Sequence, residues 1–208
     1  MKLFLERARE IVLSVYLYNE GRGYIYLEEL LRVFALKYPQ EAQLIASIRK
    51  HADDERRHHS LFQSYFRDRN RKPFQVGSWY GYCDQIVARI FGKTLDQLEP
   101  SEVIHDDKKF FQLCRLIMIT ELRGMKQVNL ILRSPLVRTE PELVKIFSVV
   151  QRDEPSHCYP YQAWLRRHGE HEPSLREKLA DWNVHYSLML LKLPVLFFNP
   201  WLRRREVF

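Results

Sequence analysis

Two stretches of the chain carry the same set of metal-binding side chains. In the first, Glu20-Gly21-Arg22-Gly23 is followed by Asp54-Glu55-Arg56-Arg57-His58; in the second, Glu121-Leu122-Arg123-Gly124 is followed by Asp153-Glu154-Pro155-Ser156-His157. The glutamates lie 35 residues apart in the first copy and 33 in the second, and the copies are offset by 101 residues at the first glutamate and 99 at the second. A Glu and a His three residues apart share one helix face, so Glu55 with His58, and Glu154 with His157, can each grip one ion from a single helix. Glu20 and Glu121 add a carboxylate from the preceding helix of each pair. Four carboxylates and two imidazoles form a hard oxygen and nitrogen shell suited to two Fe ions, with Mn/Fe or Mn/Mn as alternatives. Buried without metal, the carboxylates would need protons to offset their repulsion and lost hydration.

Other residues qualify this centre. Asp54 and Asp153 are expected to accept the free N–H of a ligating His and fix its tautomer, with Arg57 neutralising one of them. Glu28 is a rival to Glu20, which is preferred because it occupies the repeated Glu-x-Arg-Gly position. Tyr161 and Phe62 follow His157 and His58 by four residues, on the ligand face, and are expected to line the site. Tyr161 is the candidate catalytic residue, as a hydrogen-bond donor to bound oxygen or a radical; the alternative is a packed aromatic. Gly21, Gly23 and Gly124 either open space near the metals or let helices pack closely.

Helices must position these groups. Apolar residues recur at helical spacing from Leu3 to Leu36, Pro39 breaks the pattern, and a second helix is expected from about Glu41 to Arg67. Residues 70–101, with Pro73, Gly77, Gly81, Gly92 and Pro100, read as a crossover carrying one small helix within Trp79 to Phe91. Further helices are expected at about Glu102 to Leu132, Leu143 to Arg167 and Leu175 to Leu193. The fold class is therefore all-α. Residues 1–170 form a bundle of two antiparallel hairpins, about 3–69 and 102–168, and residues 171–208 add a C-terminal helix and a basic, aromatic tail.

Composition agrees. Of 208 residues 46% are hydrophobic and 28% charged, close to a globular average, and only 7 are glycine, which disfavours an all-β chain. Cys83, Cys114 and Cys158 form no CxxC pair, so neither a disulfide framework nor a thiolate metal site is expected, and a reducing cytoplasm fits. Glu6, Arg7, Arg9 and Glu10 interrupt the first apolar stretch, so no export signal is expected. The net charge of +7 permits contact with phosphate-rich surfaces without choosing among them.

The pattern Glu, Glu-x-x-His, Glu, Glu-x-x-His resembles the ferritin-like di-iron carboxylate superfamily over about residues 3–168, and the Asp-Glu-x-Arg-His form at Asp54 to His58 looks like that of bacterial multicomponent monooxygenases. The resemblance implies a four-helix bundle with Glu20, Glu55 and His58 on one iron and Glu121, Glu154 and His157 on the other. It also implies an oxidoreductase, an oxidase or monooxygenase that uses dioxygen and an external reductase on a small hydrophobic substrate. The alternatives are a ferroxidase-type iron-binding protein and a tRNA-modifying hydroxylase. No RNA-binding motif appears, so nucleic acid is not the expected partner.

The segment Met189 to Phe198, followed by Asn199-Pro200-Trp201-Leu202-Arg203-Arg204-Arg205, joins a short apolar run to Trp and an arginine triplet. It falls short of the roughly 20 apolar residues that span a bilayer. It reads either as a peripheral membrane contact, with arginines at the headgroups, or as an arm packing on the bundle or on a second copy in a homodimer.

Overall fold

Apolar residues at spacings of three and four wind this chain into long helices, and the computed structural model, which describes residues 2–205, is all-helical. In chain order α1 spans Lys2–Lys37, α2 Ala42–Asp68, α3 Tyr82–Phe91, α4 Pro100–Ile104, α5 Asp107–Arg133, α6 Pro135–Arg138, α7 Pro141–Arg167, α8 Leu175–Ser187 and α9 Leu193–Phe198. Among the described residues, extended pairing is limited to one antiparallel bridge between Phe74 and Arg204. No helix is long and apolar enough to cross a membrane.

The long helices pack in two pairs, α1 along α2 and α5 along α7, and the pairs meet through α2 and α7. Helix α3 crosses between them, against α1, α5 and α8. Two apolar clusters form the interior: Phe34, Phe110 and Trp164 belong to one, and Leu13, Phe62 and Phe147 to the other. Each fully buried side chain of this size contributes about 1.5–3 kcal/mol. Between the clusters lies a layer of buried polar groups that includes Glu20, His51, Glu55, His58, Glu154 and His157.

Several elements differ from expectation. The helix expected from Glu102 to Leu132 is divided into α4 and α5, because Asp106 turns out of the helix and caps α5, accepting from the Lys108 and Lys109 amides. Within the turn after α5, Pro135–Arg138 form the short α6. Helix α7 starts at Pro141, where a proline has no amide bond to lose, and runs through Pro155 and Pro160. An interior proline costs about 3 kcal/mol, because it removes an amide bond and crowds the carbonyl four residues back. Pro155 stands between Glu154 and His157, so the missing amide donor falls at the polar layer.

The C-terminal segment starts as expected at Leu175, where Ser174 and Glu177 cap the helix reciprocally. It continues beyond Leu193, through a five-residue π segment, Leu188–Lys192, into α9. A small cluster of Ile11, Phe74 and Leu196 seats α9 on α1. Arg7 fastens it by donating to the carbonyls of Phe197 (2.7 Å) and Asn199 (2.5 Å). Residues 203–205 lie along the crossover, with the Gln75 amide donating to the Arg203 carbonyl and the Arg205 amide to that of Pro73. The last part of the expected tail, residues 206–208, lies outside the described residues.

Candidate metal centre

Helix periodicity places Glu20 on α1, His51, Glu55 and His58 on α2, Glu121 on α5, and Glu154 and His157 on α7. Two groups could each hold an ion: Glu20, Glu55 and His58, and His51, Glu55, Glu121 and His157, with ligand atoms inside each group within 4.8 Å of one another. In the first, His58 Nδ1 lies 3.2 Å from Glu20 Oε2. In the second, His51 Nε2 is 3.6 Å from oxygens of both Glu55 and Glu121, and His157 Nδ1 is 3.5 Å from Glu55 and 3.7 Å from Glu121. Glu55 belongs to both groups. Five of the six ligands expected from the sequence thus fall into these clusters. Glu154 lies outside them, buried with its Oε2 lacking a hydrogen-bond partner.

Spacing in the repeat did not single out His51. The position equivalent to it in the second copy is Val150, so comparison of the two copies is blind to it. The signal that could have found it is local, since His51, Glu55 and His58 follow one another at spacings of four and three along one face. Its ring stacks on that of His157 with centroids 4.1 Å apart. Glu28, the rival to Glu20, is exposed and paired with Arg56 at the surface.

The imidazole nitrogens facing away from these groups are held across the molecule. His58 Nε2 lies 3.1 Å from Asp153 Oδ2, and His157 Nε2 lies 3.2 Å from Asp54 Oδ2, so each aspartate serves the histidine of the opposite hairpin. Arg57 donates to both aspartates, at 2.7 Å and 2.6 Å, where neutralisation of one was expected. Lys50 joins the network through Asp54 and donates to Ser156 Oγ at 2.9 Å.

The glycines resolve into a specific role. A Cβ on Gly23 would lie 2.8 Å from Glu55 Oε2, and one on Gly124 would lie 3.2 Å from Glu154 Oε2. Each glycine follows the first glutamate of its copy by three residues and leaves room for the second glutamate's carboxylate. Gly21 instead faces the ring of His59.

Burial and mutual repulsion raise the proton affinity of three of the four carboxylates. Burial, with the charge of Glu121, pushes Glu20 up to about 7, although Glu55 and His157 oppose this. Glu55 and Glu154 are driven well above the usual range by burial and the surrounding glutamates. Burial would also raise Glu121, but His51 and His157 hold it down at about 2. Against its own burial, His157 is raised to about 10 by Asp54 and Glu121, whereas burial beside His157 lowers His51 to about 3. Three acids, Glu20, Glu55 and Glu154, therefore converge with raised proton affinity around an ionised Glu121, where a pair of cations would be compensated by the same oxygens. The donor set fits two such ions, and His157 Nδ1, which points into the second group, is buried without a hydrogen-bond partner.

A cavity of about 180 Å³ opens onto this layer between α1, α3 and α5. Glu20, Glu55, Glu121 and Glu154 border it on one side and Leu27, Ile86, Val87, Leu113, Leu116 and Ile117 on the other. Among the described residues two tyrosines of α1 border it, Tyr16, four residues before Glu20, and Tyr26, together with Tyr82 of α3. Tyr161 and Phe62, expected to line the metal site, do not border this cavity. Tyr161 is buried with its hydroxyl unpartnered and its ring 6.1 Å from that of His51. Phe62 packs in the apolar cluster against Tyr16 and Phe147.

Comparison with known protein families, curated proteins and solved structures finds no match to the chain.

Proposed function

We propose that the chain is a ferritin-like four-helix bundle that holds two iron ions, or a Mn/Fe or Mn/Mn pair, and uses dioxygen to oxidise or hydroxylate a small hydrophobic organic molecule. The observation that carries this reading is Glu55, shared between two carboxylate and histidine groups at the edge of an apolar-walled cavity. A shared carboxylate reduces the repulsion between paired cations, and the six residues of the two groups, from four helices, match the donor preference of Fe and Mn. When bound, the metal pair supplies the reduction of dioxygen, with electrons from an external reductase.

The chain's own residues do the rest. Asp54 and Asp153 hold the two imidazoles with Nδ1 toward the ligand cluster, and Arg57 offsets the aspartates' charge. Burial, and the charges of Glu20 and Glu154, keep the Tyr16 phenol protonated far above neutral pH, so it is a hydrogen-bond donor at the cavity wall. The apolar wall from α3 and α5 selects a substrate without charge and excludes water from the carboxylates.

An oxygen electrode tests the reading. Iron-loaded protein supplied with NADH and an artificial reductase is expected to consume dioxygen over many turnovers when a hydrophobic substrate is added. Consumption that stops at one equivalent per site contradicts the oxidase and leaves a ferroxidase-type iron-binding protein.

A further inference from the structure

Helices α8 and α9 are apolar on two opposite faces. Ala180, Val184, Leu188 and Leu196 are buried against the body of the protein. On the other side Leu175, Leu179, Trp182, Leu190, Val195 and Phe198 are each 56–74% exposed. Their spacing is helical up to Leu190, and the step of five to Val195 falls across the π segment, whose wider turn absorbs one extra residue and keeps the stripe on one side. Trp201 and Phe4 extend this exposed surface, Phe4 through its contact with Phe197 at 4.4 Å. A helix apolar all round is normally covered all round.

Charge selects the cover. The two acidic residues between 175 and 205 are both turned inward: Glu177 is fully buried on Arg115, and Asp181 is paired with Arg123 and Tyr82. The exposed charges of this stretch are cationic, among them Arg176, Lys178 and Arg203, while Arg204 is paired with Glu10. A second copy of the chain would bring these cations against themselves, whereas an anionic lipid surface complements them, with tryptophans at the interface. We infer that the outer face of α8, the π segment and α9 docks on an anionic lipid bilayer, lying on it as an interfacial element.

Vesicle flotation tests this independently of any metal. The full chain is expected to float with phosphatidylcholine vesicles containing phosphatidylglycerol, and to float less with pure phosphatidylcholine or in high salt. A Trp182→Glu, Leu190→Glu variant should bind at least about tenfold more weakly, given the apolar area each residue would otherwise bury. Leu130→Glu, at an exposed leucine of α5, should bind as the unaltered chain does. Melting temperatures verify folding, and Lys178→Glu weakens binding with the apolar face left whole. Absence of flotation, equal binding by the double variant, or binding indifferent to lipid charge overturns the inference. So does a dimer that the double variant dissociates, which assigns the face to a second copy. Metal content should be the same in all these variants, so failure here leaves the proposed metal centre standing.

Discussion

His58 Nε2 lies 3.1 Å from Asp153 Oδ2, a carboxylate carried by the other hairpin, and His157 is held by Asp54 in the same way at 3.2 Å. Each half of the centre is thus oriented by a residue of the other half. The two hairpins cannot separate without releasing both imidazoles, which ties the geometry of the ligands to the packing of α2 on α7. Asp54→Ala and Asp153→Ala should each lower metal affinity about 10–100-fold, read by competition with a chelator of known affinity. An affinity unchanged in both variants would show that the aspartates do not orient the histidines.

His51 is the candidate ligand that breaks the symmetry of the repeat. His51→Ala should weaken the group that contains Glu121 and His157 and spare that of Glu20, Glu55 and His58. Metal analysis should then find about one ion per chain in place of two. Retention of both ions would return His51 to the role of a packed core residue.

Gly23 and Gly124 separate metal binding from folding. Gly23→Ala improves helix propensity by about 1 kcal/mol but puts a Cβ 2.8 Å from Glu55 Oε2. The metal-free protein should melt no lower, while metal content falls. The 3.2 Å approach at Gly124 lets the Glu154 side chain yield, so Gly124→Ala should lose less. Metal analysis beside thermal melts of the stripped protein checks both.

The pH dependence of the metal-free protein follows from the raised groups. Glu20, raised to about 7, contributes stability that is full below about 4.5 and lost as pH rises through 7. His157, raised to about 10, contributes stability that is full below about 6.5 and lost toward 10. His51 acts oppositely, its contribution present above about 6.5 and lost as pH falls toward 3. Above pH 6.5 the raised groups act alone, so the metal-free protein should lose several degrees in melting temperature between pH 6.5 and 9. Metal loading should release protons, seen by calorimetry in buffers of different ionisation enthalpy, and metal affinity should rise with pH. A melting temperature that rises over this range would contradict the protonated cluster.

Two tyrosines should part company. Tyr161→Phe removes a buried hydroxyl with no partner and should raise stability by about 1 kcal/mol, measured by denaturant unfolding. Tyr16→Phe should leave metal content intact and lower turnover, because it removes a hydrogen-bond donor at the cavity wall. Loss of turnover in Tyr161→Phe with none in Tyr16→Phe would reverse these roles.

Much of this was legible in the sequence because it depends on short spacings. The all-helical class and the paired glutamate and histidine positions follow from intervals of three or four residues, and the start of α8 at Leu175 follows the break at Pro173. What was not legible depends on how distant segments face one another. The crossing of His58 to Asp153 needs the mutual orientation of the hairpins, and Tyr161 and Tyr16 differ only in which side of the polar layer the cavity opens. The division of α4 from α5 turns on a single cap at Asp106, which interrupts an apolar pattern that otherwise continues. The π segment leaves no sequence mark beyond the step from Leu190 to Val195.

The most direct test of the central claim is metal content by plasma mass spectrometry on protein made without a chelating tag, set beside a Glu55→Ala, Glu154→Ala variant. The account predicts about two Fe or Mn ions per chain, lost in the variant while its helical circular dichroism persists. No bound metal after iron or manganese is supplied, or equal content in both proteins, would contradict a dinuclear centre at these residues.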